Sequence, residues 1–308
     1  MNDLTIIMYH YVRPIIDSEF PGIKGLEFDG FRRQLDYLAE RFNIVSTEQI
    51  VDSCLKNKKL PINACWLTFD DGYKDHYKFV LPELLNRNLH GAFFPPRVAI
   101  EDDVVLDVNL IHHIISCASN IKDLVYKLNM CCRMDGISDD KLTSFYNEFA
   151  VANRFDNEDT IYVKRMLQHI LPENLRNSIS SQLFQDYVGI RPEDFSQKLY
   201  MNIDEVSNLV KCGMYVGSHG SMHYWLDRIS SEKQEQDILK SLEFLERVGS
   251  AKENWIMCYP YGAYNEATLT LLEKYKASIG ITTEVRVANI SNDNRFTLPR
   301  LDANDFPR

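Results

Sequence analysis

A chain of 308 residues is long for one compact core but within the range of a single α/β barrel with insertions, so a second domain is not required. Its 45% hydrophobic fraction supports a substantial core, while 25% charged residues and a mean hydropathy of -0.29 are those of a soluble globular protein, and no apolar run reaches the roughly 20 residues of a membrane-spanning helix. A net charge of -10 without a basic stripe argues against a nucleic-acid surface, and seven cysteines without a CxxC pair fit reduced thiols better than a disulfide framework.

The opening residues, Met1 to Ile6, carry no basic leader and pass directly into a strand, so neither a signal peptide nor an anchor is expected and the expected location is cytoplasmic. The run Leu4-Thr5-Ile6-Ile7-Met8-Tyr9 is continuously apolar, as in a strand buried on both faces of a parallel sheet. It predicts a barrel's first strand, with His10 at the C-terminal edge where functional residues of such barrels collect; a histidine satisfied by backbone groups is the competing expectation. After a loop from Pro14 to Gly30, Phe31, Leu35 and Leu38 mark an amphipathic helix. Asn43 to Ser46 predicts a short strand, and Thr47 is the expected cap of the next helix.

Ala64-Cys65-Trp66-Leu67 reads as a buried strand that ends in Asp70-Asp71-Gly72, two like charges followed by a turn glycine. Alone, that could be a surface turn. Tyr77 to Asn88 predicts a helix, with Pro82 in its first turn or dividing it, and Gly91 to Phe94 predicts another strand. Strand, helix, strand is the rhythm of a parallel sheet. Between 105 and 200 it breaks into helical patterns without strand signals, which predicts a helical insertion acting as a lid or substrate-selecting cap. Within it, His112 and His113 point about 100° apart on a helix and make weak partners for one metal, with one of them able to reach the barrel mouth. Asp107 and Asn109 read best as helix caps. The adjacent Cys131 and Cys132 cannot easily form a relaxed disulfide.

The barrel rhythm resumes with a capped helix at Asn202 to Val210, ended by Gly213, and a helix opening at Ser231 with Ile238, Leu239, Leu242 and Leu245 as its inward stripe. Trp255 to Tyr259, Ala277 to Thr282 and Phe296 to Arg300 are further strand-like runs, giving seven or eight in all. Between the two helices, Gly217-Ser218-His219-Gly220-Ser221-Met222-His223 follows the strand-like Met214-Tyr215-Val216 and sets two imidazoles four residues apart. One helical turn or a compact loop there lets both face a common point, where Asp70 and Asp71 could complete a His/His/Asp metal site with open positions.

Four pieces of the chain, taken in order, resemble the polysaccharide deacetylases of the NodB-homology group, carbohydrate esterases that remove acetyl groups from N-acetylated sugars. They are Ile7-Met8-Tyr9-His10-Tyr11-Val12, Thr68-Phe69-Asp70-Asp71-Gly72, Ser218 to His223, and Tyr259-Pro260-Tyr261-Gly262. The resemblance covers roughly residues 1–100 and 200–305. It implies an α/β fold, a distorted (β/α)7-8 barrel with a helical insertion, within a single deacetylase-type domain spanning 1–308.

An amide is a poor electrophile and water a poor nucleophile, and a divalent cation helps both. Asp71, His219 and His223 are the expected ligands, and zinc the expected ion, with other divalent transition metals as alternatives. The resemblance implies Asp70 as the general base and the backbone N–H of Tyr261 as an oxyanion donor, with Pro260 shaping the groove. Two departures stand out. Met257 occupies the position where family members often carry an arginine that holds the catalytic aspartate, and the late Leu-x-His element that supplies a proton donor is absent. Arg300 is therefore the expected partner of Asp70, and the donor to the leaving group is either His10 or Asp70 returning its own proton. The expected activity is metal-dependent removal of an N-acetyl group from a nucleotide-linked, lipid-linked or glycan-precursor amino sugar, releasing acetate. Alternatives are a deacylase for another amide or formyl group and an impaired sugar-binding pseudoenzyme. The partner is an acetamido sugar, with no nucleic acid and no membrane span; the sequence leaves the oligomeric state open.

Overall fold

The structure, a computed structural model, describes residues 3–153 and 156–308. It divides into two compact units. The first comprises the chain up to Pro14, Gly25–Asp103 and Gln197–Arg308; the second comprises Ile15–Lys24 and Val104–Ser196. The second unit thus differs at its ends from the expected 105–200 insertion and takes in a short early segment that carries no helical pattern to announce it.

In the first unit the apolar strand Asp3–Tyr9 pairs in parallel with Ala64–Asp70, from Leu4 opposite Ala64 to Tyr9 opposite Phe69. Ala64–Asp70 pairs onward with Ala92–Phe94, and that strand with Tyr215–Val216. A parallel bridge from Ser218 to Met257 leads to Ile256–Cys258, which pairs with Ile279–Ile281. A bridge from Ile281 to Leu298 and the pairing of Ile7–Met8 with Leu301–Asp302 bring the ring back to the first strand. Among the described residues, seven parallel segments thereby close a distorted barrel, the lower end of the count expected from sequence. Asn43–Ile44 and the antiparallel Ala288–Asn289 only patch the beginnings of the first two strands. Every residue of Ala64–Asp70 is buried, as a strand covered on both faces must be.

Several local expectations need correction. Ser46, not Thr47, caps the second helix, in a reciprocal capping box with Gln49; the Thr47 hydroxyl instead accepts a hydrogen bond from Trp66 Nε1 at 3.1 Å. The expected Tyr77–Asn88 helix is a wide turn, His76–Val80, running directly into Leu81–Asn86, so Pro82 divides a continuous helical run. Helix Ser231–Arg247 is capped by Ser230 and buries Ile238, Leu242 and Leu245, but Leu239 is 39% exposed; Gln234, Asp237 and Ser241 share the inward face instead. The last strand is Leu301–Asp302, with Leu298 held by a single bridge.

The second unit is helical, with no strand among its described residues. Asp107 and Asn109 are not caps: Leu106 stands at that position, Asp107 faces Arg176 at 3.5 Å, and Asn109 is buried within the helix. His113 is packed against Phe20 and Phe195, with ring centroids 5.1 and 4.7 Å away, and its Nδ1–H donates to the Asn109 carbonyl. It is a core histidine of this unit, which removes it from the candidates for the barrel mouth.

Barrel closure is tightest at Gly280, whose N–H donates to the Arg295 carbonyl and whose own carbonyl accepts from Leu298, both at 2.9 Å. A Cβ there would collide with the Phe296 carbonyl and come within 2.5 Å of the Tyr259 hydroxyl. Gly280→Ala is therefore expected to lower unfolding free energy by about 2–3 kcal/mol, in the range of core overpacking. A urea midpoint unchanged from the wild type would show that the closing segment yields freely.

Candidate functional site

The site is built where the strands end. In an extended chain, consecutive side chains point to opposite faces. Asp70 is the last strand residue, and Asp71 and Gly72 follow with φ of 70° and 72°, a left-handed turn that breaks this alternation. Gly72 has no room for a Cβ, which would lie 2.7 Å from Pro95 Cβ. Both carboxylates consequently face His219: oxygens of Asp70 and of Asp71 each lie within 4.8 Å of its ring nitrogens.

The histidine block forms a compact loop rather than a helical turn. His219 Nδ1 donates to the Cys258 carbonyl at 2.7 Å, which fixes the tautomer that leaves Nε2 free to act as a ligand. Asp237, buried on the neighbouring helix, accepts the Ser221 N–H at 2.9 Å and the Met222 N–H at 2.8 Å. Arg97 Nε adds a 2.7 Å bond to the Ser221 hydroxyl. This clamp supports a backbone that is left-handed at both Gly220 and His223, with φ of 70° and 57°. The outcome is convergence: His219 Nε2 lies 3.3 Å and His223 Nε2 3.4 Å from the same oxygen, Oδ1 of Asp71. Burial would raise Asp71, but the two imidazoles beside it outweigh that and hold the carboxyl well below its usual range.

Asp70 is paired with Arg300 through two bonds, 2.9 Å to Oδ1 and 2.7 Å to Oδ2. Arg300 is 1% exposed, so the pair is removed from bulk solvent, and the guanidinium also donates to the Thr282 carbonyl at 2.8 Å and the Thr68 hydroxyl at 3.1 Å. Burial works against ionisation of Asp70, and the Arg300 charge prevails, bringing the carboxyl to about 2. Met257, in the position of the expected arginine, is fully buried beside the Ser218 hydroxyl.

His10 follows the first strand, half-buried. Its carbonyl is bonded to His76 Nε2 at 2.9 Å, and its ring lies near enough for its charge to bear on Asp70 and Asp71. Pro260 is buried, and Tyr261 adopts φ 59°, its ring 4.8 Å from His223 and stacked on Trp225 at 4.2 Å. The structure thus brings together the eight residues Asp70, Asp71, His10, His219, His223, Pro260, Tyr261 and Arg300 at the strand ends of one unit. Sequence reasoning missed Asp237, Arg97 and Tyr73, whose hydroxyl donates to Asp71 Oδ2 at 2.6 Å. A charge on an otherwise inward helix face was the one available signal, at Asp237.

A family model described as polysaccharide deacetylase matches residues 190–279, which include the histidine block and Tyr259 to Gly262. Over 97 residues the chain is 25% identical to YxkH of Bacillus subtilis (strain 168), a protein named for the same family; the match spans 32% of this chain and only 34% of that relative. Across nearly the whole chain the fold is that of two solved structures. The Streptococcus pyogenes deacetylase PplD, solved in complex with acetate, aligns over 97% of this chain and 92% of its own at 15% identity, with a TM-score of 0.59. IcaB from Ammonifex degensii aligns over 98% and 92% at 16% identity, with a TM-score of 0.58. The resemblance read from the four motifs and the distorted α/β barrel it implied are both borne out.

Removing Arg300 tests the buried pair. Asp70 sits at about 2 against an ordinary 3.8, so the pairing stabilises the fold above about pH 4 and is lost as pH falls towards about 2. Arg300→Met leaves a buried carboxyl without its cation, which is expected to cost about 3–5 kcal/mol at neutral pH and to move the onset of acid unfolding upward, because burial alone raises Asp70. Stability–pH curves of variant and wild type that run parallel from about pH 3 to 7 would contradict the assigned cause.

Proposed function

We propose, taking the polysaccharide deacetylase resemblance as the premise, that this chain is a hydrolase that removes an N-acetyl group from an amino sugar of a glycan or glycan precursor with the help of a divalent cation. The observation that carries this reading is the convergence of two imidazole nitrogens on one oxygen of Asp71 beside a second, ionised carboxylate. The donor set suits such an ion: separations of 3.3 and 3.4 Å match the ~3.4 Å edge of a tetrahedron with ligand bonds of ~2.1 Å, as at zinc. Asp71, His219 and His223 would hold it. When bound, the cation supplies Lewis-acid activation of the acyl carbonyl and of the attacking water.

The remaining steps fall to the chain. Asp70, ionised and aimed by Arg300, takes the proton of the attacking water. The Tyr261 N–H donates to the oxygen on which negative charge develops, and the neighbouring Pro260 fixes that turn. An amine leaves badly unless protonated; His10 is the proposed donor, with return of the proton from Asp70 as the rival route. Acetate in the PplD structure is the product this reaction would release, which supports the reading by analogy.

Ligands and base should separate in the laboratory. His219→Ala, His223→Ala and Asp71→Ala are each expected to lose bound metal, while Asp70→Asn keeps the metal and loses roughly 10²–10⁴-fold in turnover of acetamido sugars, followed as acetyl loss by mass spectrometry. Full metal occupancy in all three ligand variants would remove the site.

His10 is tested by the leaving group. An amide needs a proton donor, whereas an activated acetate ester releases a phenolate unaided, so His10→Ala is expected to slow amide cleavage roughly 10²–10⁴-fold and ester cleavage far less. Equal losses on both substrates would make His10 a structural residue and assign proton return to Asp70.

A further inference from the structure

The oxygen of Asp71 that does not face the imidazoles is occupied. Its Oδ2 accepts a 2.6 Å hydrogen bond from the Tyr73 hydroxyl, while both Nε2 atoms gather on Oδ1. We infer that Tyr73 is a positioning residue of the metal site, which by engaging Oδ2 presents Asp71 to the cation through a single oxygen. The inference rests on the metal-site reading above and deepens it.

A carboxylate with both oxygens free can close on a metal with two bonds, and the second bond takes a coordination position that water and the acyl oxygen would otherwise share. Holding Oδ2 elsewhere keeps that position open. The device works only if the phenol cannot swing away, and the surroundings of Tyr73 prevent it. Its ring is fully buried, stacked on Tyr11 at 4.2 Å and on Tyr200 at 6.0 Å, with His76 edge-on at 5.5 Å. Its backbone is fixed as well: Tyr73 bridges Tyr200 in antiparallel fashion, and the Met201 N–H donates to the Gly72 carbonyl at 3.0 Å. Complete burial also separates this role from substrate binding, since no surface of Tyr73 is left for a sugar.

The variant Tyr73→Phe keeps the stacked ring and deletes only the donor. The test titrates Co²⁺ into wild type and variant, reading affinity by chelator competition and coordination by the visible absorption of the bound ion. The expected result is a 10–100-fold weaker affinity, the usual effect of losing a group that orients a metal ligand, together with a weaker visible band as Asp71 turns bidentate and the coordination number rises. A role in packing alone would loosen binding without changing the band. Affinity within about twofold of wild type and an identical band overturn the inference while leaving the metal site standing. Wild type that binds no Co²⁺ overturns the metal site, and this inference with it. Should Tyr73→Phe fail to fold, infrared difference spectra of the wild-type chain with and without metal decide the matter: the wide carboxylate splitting of one-oxygen coordination is expected, and a narrow bidentate splitting refutes it.

Discussion

The guanidinium of Arg300 is the constraint from which the first unit's arrangement follows. It belongs to the last segment of the chain, yet its donors reach the Thr282 carbonyl beyond one strand and the Thr68 hydroxyl and Asp70 carboxylate of another. A cation buried this completely would be prohibitively costly without partners, and a carboxylate beside it would be neutral without the cation. Each makes the other tenable. The parallel ring must therefore close with Leu298 and Leu301–Asp302 in register against their neighbours for Asp70 to stay ionised once it is buried, which links barrel closure to the charge state of the proposed base.

The second ingredient is backbone strain. Asn57, Asn63, Asn88, Asn254 and Asp103 also have positive φ, which short polar side chains tolerate, and Lys276 has it just past the end of a helix. His223 and Tyr261 have no such short side chain, and the Asp71 carboxylate is engaged by Tyr73 and faces the imidazoles, so these positions cost about 1 kcal/mol or more each. All three lie at the proposed centre. The surrounding bonds make up the difference: Tyr73 at Asp71, the Asp237 clamp ahead of His223, and the Trp225 stack on Tyr261. Left-handed residues at strand ends let consecutive side chains face one point, which a regular strand cannot do.

Much of this was legible in the sequence because it is local. The continuous apolar runs announced strands buried on both faces, and residue types at fixed spacing announced Asp71, His219 and His223. What was not legible depends on contacts across long stretches of chain. Nothing in the order Ser46-Thr47 says which hydroxyl caps the helix, since Trp66 decides by taking Thr47. Leu239 fits an apolar stripe as well as Leu242 does, and only the packing of that helix shows it outside. Tyr73 stood in view beside the aspartates, but its partners Tyr11 and Tyr200 lie on distant segments. Met257 marks the opposite case: the arginine missing there already pointed to Arg300 as the partner of Asp70, and the fold brings that guanidinium to the carboxylate.

That substitution of position has a chemical consequence for the proposed reaction. A carboxyl held at about 2 is ionised at neutral pH but a weak base, so in the proposed reaction a bound cation would supply much of the activation of the attacking water, and Asp70 would serve as a fixed acceptor. By the same token, any proton it takes is held loosely and is readily passed on. The half-buried His10, at the end of the first strand, stands apart from the Arg300 pair. Placing the proposed base and the proposed donor on separate strand ends lets one take the proton of the attacking water while the other gives its own to the leaving amine, which is the division of labour that acid–base chemistry at one carbonyl requires.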